Sequence, residues 1–463
     1  MMFSSIPFLF YFLPAILVVY FAAVLLVRVV RPSVGESKFG RNFFSIKLCN
    51  MILLVASIIF YGWAGINYLI VILAQVLAAW LWGLVINKTH GKAKKIALIL
   101  SILTAISTLV YFKYTNFFID NINLIFGEGT VHPLRIIVPL GISFYTFQLL
   151  SYNIDLYRGD VKVQKNPFTL ATYVMLFMQV MAGPIVRYSD IIPQLEERRH
   201  TFDDFYAGVT RFTVGLGKVV FLGQSLWQLN HYLGLEYSVF AFVMRSFIFT
   251  LHLYFDFSGY SDMAIGLGRM FGIRIVENFN YPFIAKSITE FWRRWHLSLG
   301  MWLRDYVYIP LGGNRRRQWL NVFVVWFLIG FLQGAAWNFI FWGLYFVVLI
   351  MIEKKVLNKT LPRWPKVFQH LYMIIIVVIS FMFFRNYNVF NATSLIGPLS
   401  LHYLRSYAVI IAIAMIGSTP LPKKIFAHRG VRWLEPVAVG GCLLLATAFL
   451  ATGTFNPLIY ARF

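Results

Sequence analysis

Long apolar windows recur along the whole chain, each close to the length of a helical membrane crossing and each closed by charged or turn-forming residues. A helical crossing of the hydrocarbon needs about 20 apolar residues. The clearest windows run from Ile6 to Val27, Tyr68 to Ile86, Ile96 to Phe112, Thr169 to Met181, Val239 to Phe255, Val322 to Ile352, Leu371 to Phe384, Tyr407 to Gly417 and Val437 to Ala451. Leu48 to Trp63 adds a partner for Tyr68 to Ile86, predicting a hairpin with its tip at Ala64 to Asn67. The count comes to about ten to twelve spans, an all-α polytopic membrane protein read as a single integral membrane domain over residues 1–463. No period of 20 to 50 residues and no paired halves are visible, which argues against a solenoid and an inverted-repeat transporter.

Composition agrees with a bilayer as the solvent: 59% of the residues are hydrophobic and only 13% are charged. Ile6 to Val27 has no basic residue before it and reads as a retained span rather than a cleavable signal peptide. The net charge of +23 does not point to nucleic acid, because the Lys and Arg residues fall in short clusters between apolar windows. Those clusters, Arg28 to Lys47, Lys88 to Lys95, Glu353 to Lys366 and Lys423 to Arg432, are expected on the cytoplasmic side, with anionic membrane lipid as their partner. Counting spans from either end then puts both termini and the stretch Arg385 to Ser394 outside. Cys49 and Cys442 stand alone in apolar runs and read as packing residues, neither a disulfide framework nor a metal site.

Between Phe257 and Gln318 the apolar pattern fails among strong spans. Charged or irregular backbone at membrane depth survives only where protein buries it or water lines it, so this stretch is expected to border an internal cavity. With the residues just before it, the chain here reads Tyr254-Phe-Asp256-Phe-Ser258-Gly259-Tyr260-Ser261-Asp262, then Glu277-Asn278-Phe279, Thr289-Glu290-Phe-Trp292-Arg293-Arg294-Trp295-His296, Trp302-Leu-Arg304-Asp305-Tyr306 and Leu311-Gly312-Gly313-Asn314-Arg315. Such a density of donors, acceptors and aromatic walls suits an extended ligand with phosphates, amides and a thioester. The competing reading is an interfacial belt of snorkelling Trp and Arg. His296 follows two arginines, whose like charge would keep its imidazole neutral and able to act as base or orienting donor. His252 and Asp256, four apart, share a helical face and could pair, but two ligands make no zinc site and metal catalysis is not expected. Ser258, Ser261 and Ser298 are weak nucleophile candidates, since hydroxyls in membrane helices usually bond to backbone carbonyls.

The run from Tyr254 to Asn314 resembles the core of the membrane-bound O-acyltransferase family, most closely its bacterial alginate O-acetylation membrane subunits. The Met-Phe-Ser-Ser start, Tyr111-Phe-Lys113-Tyr114, Pro139-Leu-Gly141-Ile-Ser143-Phe-Tyr145, Ala182-Gly183-Pro184 and Ile459-Tyr460 extend the likeness over nearly the whole chain, with the signature core at about 250–345. The resemblance implies a ring of helices, with re-entrant or short interfacial ones, around a thinned centre with a funnel from each side. It also implies acetyl-CoA as cytoplasmic acetyl donor and delivery toward an exported polysaccharide from a bacterial inner membrane. His296 maps onto the first of the family's two motif histidines. The second lies in a Leu-Trp-His-Gly-Ala sequence, where this chain reads Phe331-Leu332-Gln333-Gly334-Ala335.

Acyl transfer from a thioester to a hydroxyl needs a group that takes the hydroxyl proton. A carboxamide has no basic nitrogen and can hold a ligand without activating it. Loss of a general base costs about 10²–10⁴ in rate, so transfer by this chain is expected to be impaired. Either the histidine was changed by design, which the intact Asn314, Asp305 and His296 favour, or a natural member has lost or rerouted its chemistry; an interhelical hydrogen-bonding glutamine is the plainer alternative. On this reading the Gln333 position and His296 are the catalytic positions. Arg293, Arg294, Arg304, Arg315, Trp292 and Asn314 are candidates for the coenzyme, because guanidinium groups bind phosphate bidentately. Short outer loops favour an extracytoplasmic acetyltransferase partner over direct capture of the polysaccharide. Acyl transfer to peptidoglycan, cellulose or teichoic acid, or a transporter or non-catalytic scaffold, are the alternatives.

Overall fold

The computed structural model describes residues 1–30, 38–181, 183–428 and 430–452. Ala182 of the Ala-Gly-Pro motif, Ile459-Tyr460, residues 31–37 of the first basic cluster and Arg429 of the last lie outside the described residues. The described chain is built of helices: α1 Leu13–Val30, α2 Lys38–Gly62, α3 Ile66–Lys88, α4 Gly91–Phe126, α5 Ile142–Arg158, α6 Pro167–Met175, α7 Tyr188–Glu196, α8 Phe202–Gly217, α9 Gln224–Leu233, α10 Val239–Met270, α11 Ile288–Trp292, α12 Leu297–Leu303, α13 Gln318–Gln333, α14 Trp337–Ile352, α15 Lys366–Phe384, α16 Pro398–Ser406, α17 Ala408–Gly417, α18 Leu421–Ala427 and α19 Glu435–Ala451. Two compact units divide the chain, residues 1–209 with 264–276 and residues 210–263 with 277–463. The protein is an all-α, multi-pass integral membrane protein.

Among the described residues six helical stretches are long and apolar enough to cross a bilayer alone: Pro7–Leu26, Ile66–Lys88, Gly91–Phe126, Phe202–Leu233, Val239–Met270 and Lys366–Phe384. The pair α16 and α17, bent by 62°, makes a seventh if taken as one span, and Ile46–Gly62, Gln318–Gln333 and Glu435–Ala451 are shorter apolar helices. Only with these does the set reach the lower end of the expected ten to twelve.

In the first unit the α2/α3 hairpin forms as expected, closing at Gly65 with φ of 149°. Phe3, Phe8, Phe12, Phe60 and Phe177 gather into one aromatic cluster, with centroids such as Phe3–Phe8 at 5.1 Å and Phe12–Phe177 at 5.4 Å. Gly141 opens α5 at φ of 73°, where a Cβ would strike the Val180 carbonyl. The window Thr169 to Met181 is not a span. Helix α6 stops at Met175, and Leu170 to Met181 are all buried, so their apolar character serves a protein core rather than lipid.

Elsewhere the structure departs from the sequence pattern in three places. Helix α10 continues past Phe255 to Met270, carrying Ser258, Ser261 and Asp262 as helical residues. Phe202–Leu233 forms a long helical stretch that hydropathy obscures, because Arg211, Lys218, Gln224 and Asn230 interrupt it. The expected single span Val322 to Ile352 is an antiparallel hairpin. Trp326 packs on Phe346 at 5.1 Å, while farther along α13 a Cβ on Gly330 would lie 2.5 Å from the Phe339 carbonyl. The turn falls at Gly334-Ala335-Ala336, where any Cβ on Gly334 would collide with the Phe339 ring. Small residues that let backbones approach are the usual device for helix association in lipid.

Candidate active site

The motif between α10 and α13 folds around one amide. Asn278 Nδ2 donates to Ser261 Oγ at 2.9 Å, so its Oδ1 faces the other way and accepts from His296 Nδ1–H at 3.0 Å and Ser298 Oγ–H at 2.8 Å. The Asn278 carbonyl also accepts the Leu297 amide at 2.9 Å. With Nδ1 donating, the lone pair of the imidazole sits on Nε2, the form needed to accept a proton or orient one. His296 itself has φ of 46° and ψ of 54°, the left-handed region, immediately before α12. A non-glycine residue held there costs about 1–3 kcal/mol and persists only where its surroundings enforce it.

His296 is only 6% exposed, with the Phe257 ring edge-on at 4.7 Å. Burial pushes its imidazole down to about 3. The expected neutrality is therefore produced by desolvation, not by the neighbouring arginines. Arg294 is held by Glu290 at 2.9 Å and donates to the Asn280 carbonyl at 3.2 Å, while Arg293 points outward.

Beside this amide hub, Asp262 accepts from Arg211 at 2.8 Å and Lys218 at 2.6 Å, and Arg211 also pairs with Glu277. Gly215 and Gly259 make the network possible. A Cβ on either would meet the other's carbonyl oxygen, at 2.5 and 2.7 Å, so α8 and α10 approach backbone to backbone. A second support comes from Glu353, expected in a basic loop but buried after α14. Its carboxylate accepts the Ile288 amide at 2.6 Å, the Thr289 amide at 2.8 Å and the Thr289 hydroxyl at 2.6 Å, capping α11 from another element.

The other expected site residues are placed as follows. Gln333 is the last residue of α13, half-buried at the hairpin turn. Trp292 packs among Trp326, Phe346 and Trp342 at 4.8, 4.9 and 5.6 Å. Arg304 pairs with Asp305 at 2.6 Å. Asn314 is exposed and accepts from Tyr308 and Gln318, both at 2.7 Å, and Arg315 beside it is exposed. His252 does not pair with Asp256: its Nδ1 bonds the Gly223 carbonyl at 2.8 Å and its buried Nε2 has no partner among the described residues. Ser261 and Ser298 both bond to the Asn278 side chain. No group of three His, Cys, Asp or Glu side chains among the described residues is arranged to hold a metal ion. The sequence reading left out Asn278, Asp262 and Glu353; the first two lie inside the quoted motif, but only the fold shows what they hold.

A membrane-embedded helical protein with a buried, tautomer-fixed histidine in this polar motif has the form of a membrane acyltransferase. The model of the membrane-bound O-acyltransferase family matches residues 161–396. The chain belongs to that family and is an O-acyltransferase. It is 39% identical over 398 residues to the probable alginate O-acetylase AlgI of Pseudomonas aeruginosa, covering 84% of this chain and 72% of that protein. The counterpart from Azotobacter vinelandii is 38% identical, with 84% and 76% covered. The peptidoglycan O-acetyltransferase of Helicobacter pylori is 33% identical, with 73% and 71% covered.

Proposed function

We propose that this chain moves an acetyl group from cytoplasmic acetyl-CoA across a bacterial inner membrane for O-acetylation of an exported, alginate-like polysaccharide, through an extracytoplasmic acetyltransferase partner. The observation that carries the chemistry is His296, buried and held by Asn278 so that Nε2 keeps its lone pair. In the transfer, the acceptor oxygen bonds to the thioester carbonyl carbon, the carbon–sulfur bond breaks, and the hydroxyl proton must leave to a base while the thiolate of the coenzyme is protonated. His296 orients the donor or takes the proton. Arg293, Arg304 and Arg315, exposed on the motif, are the groups for the coenzyme phosphates, with Arg294, Asn314 and Trp292 shaping the same region.

Gln333 stands at the position of the second motif histidine and supplies no base. The experiment is acetyl transfer from labelled acetyl-CoA in reconstituted protein, comparing the chain as it stands with Gln333→His. A rise of about a hundredfold supports the base assignment. No change, with donor binding intact, refutes it. The likeness to the peptidoglycan O-acetyltransferase favours a second acceptor reading, and swapping peptidoglycan fragments for alginate in the same assay separates the two.

A further inference from the structure

One end of the second unit carries two arginines that no carboxylate or hydrogen-bond acceptor among the described residues engages. Arg245 and Arg385 are both half-buried. Their guanidinium carbons lie over the Tyr387 ring at 4.3 and 5.9 Å, and Arg385 also lies over Phe249 at 5.1 Å. Among the described residues neither side chain donates a hydrogen bond or joins an ion pair, and the Nε atom of each is buried without a partner. The other arginines buried in this unit behave differently: Arg211 is engaged by Asp262 and Glu277, and Arg294 by Glu290. The Tyr387 hydroxyl donates to Asn230 Oδ1 at 3.1 Å, so the ring between the two cations is itself fixed.

Their place in the unit is informative. Arg385 follows Phe384, whose carbonyl accepts from Asn338 Nδ2 at 2.7 Å and whose ring meets Phe339 at 4.8 Å. Phe339 covers Gly334, next to Gln333. The arginines therefore share the end of the unit that holds the hairpin turn. The exposed Arg315, Arg316 and Arg317 precede α13, and Lys354 and Lys355 follow α14, at the opposite end. Cytoplasmic loops collect Lys and Arg, so this second end is the cytoplasmic one and the Arg245–Arg385 pair faces the outside, where cations are scarce. Guanidinium groups with open donors fit carboxylates in a fork geometry.

Building on the acetyl-transfer reading, we propose that Arg245 and Arg385 form an outward-facing carboxylate site that holds an acidic polysaccharide, a uronate chain, beside the Gln333 position. The site then holds the polymer by charge at the outer face, where the extracytoplasmic partner that receives the acetyl group can reach it.

The test is binding to the reconstituted full chain in zwitterionic nanodiscs, with a uronic-acid oligosaccharide and a neutral glucose oligosaccharide of equal length as probes. The proposal expects salt-sensitive binding of the acidic probe alone, weakened tenfold or more in Arg245→Gln and in Arg385→Gln and less in Arg385→Lys, each variant keeping the parent's melting temperature. Equal binding of both probes, or acidic binding unchanged in the folded variants, overturns it. So does a response of the arginines to anionic lipid in the nanodisc but not to the oligosaccharide, which would make the site a headgroup site. Hydrolysis of acetyl-CoA by the Gln333→His form without added sugar reads the transfer chemistry alone, so loss of one activity with survival of the other shows which of the two readings has failed. If an acceptable fold is lost in both Gln variants, the lysine variant decides: retained acidic binding supports the site, and absence of binding overturns it.

Discussion

At the scale of single residues, His296 was legible from its motif and its partner was not. Nothing in the chain ties an asparagine to a histidine 18 positions away; the fold does, through Asn278 Oδ1. In Asn278→Ala, His296 Nδ1, Ser298 and Ser261 each lose a partner, and leaving buried polar groups unpaired costs about 1–3 kcal/mol each. Measured in the Gln333→His background, turnover in Asn278→Ala is expected to fall about a hundredfold with the KM for acetyl-CoA little changed. A larger effect on KM than on turnover would move Asn278 from orienting the imidazole to binding the donor. The titration of His296 gives a second expectation. Outside the membrane-spanning helices, burial takes its imidazole from the ordinary 6.5 to about 3, so in that interval the unfolded chain binds a proton that the folded chain does not. Stability contributed by the neutral ring is complete above pH 6.5 and declines as the pH falls toward 3. Melting curves from pH 7 to 5 should therefore drop more steeply for the parent than for His296→Gln. Parallel slopes would mean that His296 is not held neutral.

At the scale of elements, the spans facing lipid were readable and the buried ones were misread. The α2/α3 hairpin and α15 emerge from hydropathy because they are apolar on their exposed faces as well as their packed ones, at Val55, Ile59, Ile70, Leu77, Ile375 and Ile379. Thr169 to Met181 looks the same in sequence, yet its apolar residues are enclosed by protein and the helix ends after nine residues. The Gly334-Ala335-Ala336 turn was hidden for a related reason. A turn packed on an aromatic ring at Gly334, with Ala335 and Ala336 half-buried, needs small residues, not the polar ones that mark a turn in water. Glu353 was read as part of a loop because charge normally marks loops, whereas here it caps α11. Glu353→Gln keeps one carbonyl oxygen to accept a backbone amide and turns an NH2 donor toward the other, which loses its acceptor, and is expected to lower stability by about 1–3 kcal/mol. Thermal unfolding in detergent checks this, and a variant as stable as the parent would show that Ser287, whose Oγ accepts the Glu290 amide at 3.0 Å, suffices as the cap.

For the molecule as a whole, composition gave the class, while the sidedness expected from the basic clusters is a prediction that the hairpin makes testable. One expected span has become a pair that returns to the side where it began, which places Arg315 to Arg317 and Lys354-Lys355 together, as the positive-inside rule asks. A thiol placed at the turn, Ala335→Cys, should react with a membrane-impermeant maleimide added to intact spheroplasts; Cys49 is buried and Cys442 half-buried, so background labelling is low. Labelling only after lysis would invert the assignment. The hairpin also sets a length. Its first helix, α13, has 16 residues, a rise of about 24 Å, against about 30 Å of hydrocarbon in a typical bilayer, whereas α14 runs on helically through Glu353–Leu357. Lipid beside α13 must shorten to meet it, at a cost of fractions of a kcal/mol for each ångström of mismatch. Acyl-chain length thus becomes a control on the protein: it should melt higher and turn over faster in short-chain phosphatidylcholine than in long-chain, so the membrane's own thickness would set how readily the two ends of the hairpin are kept in place.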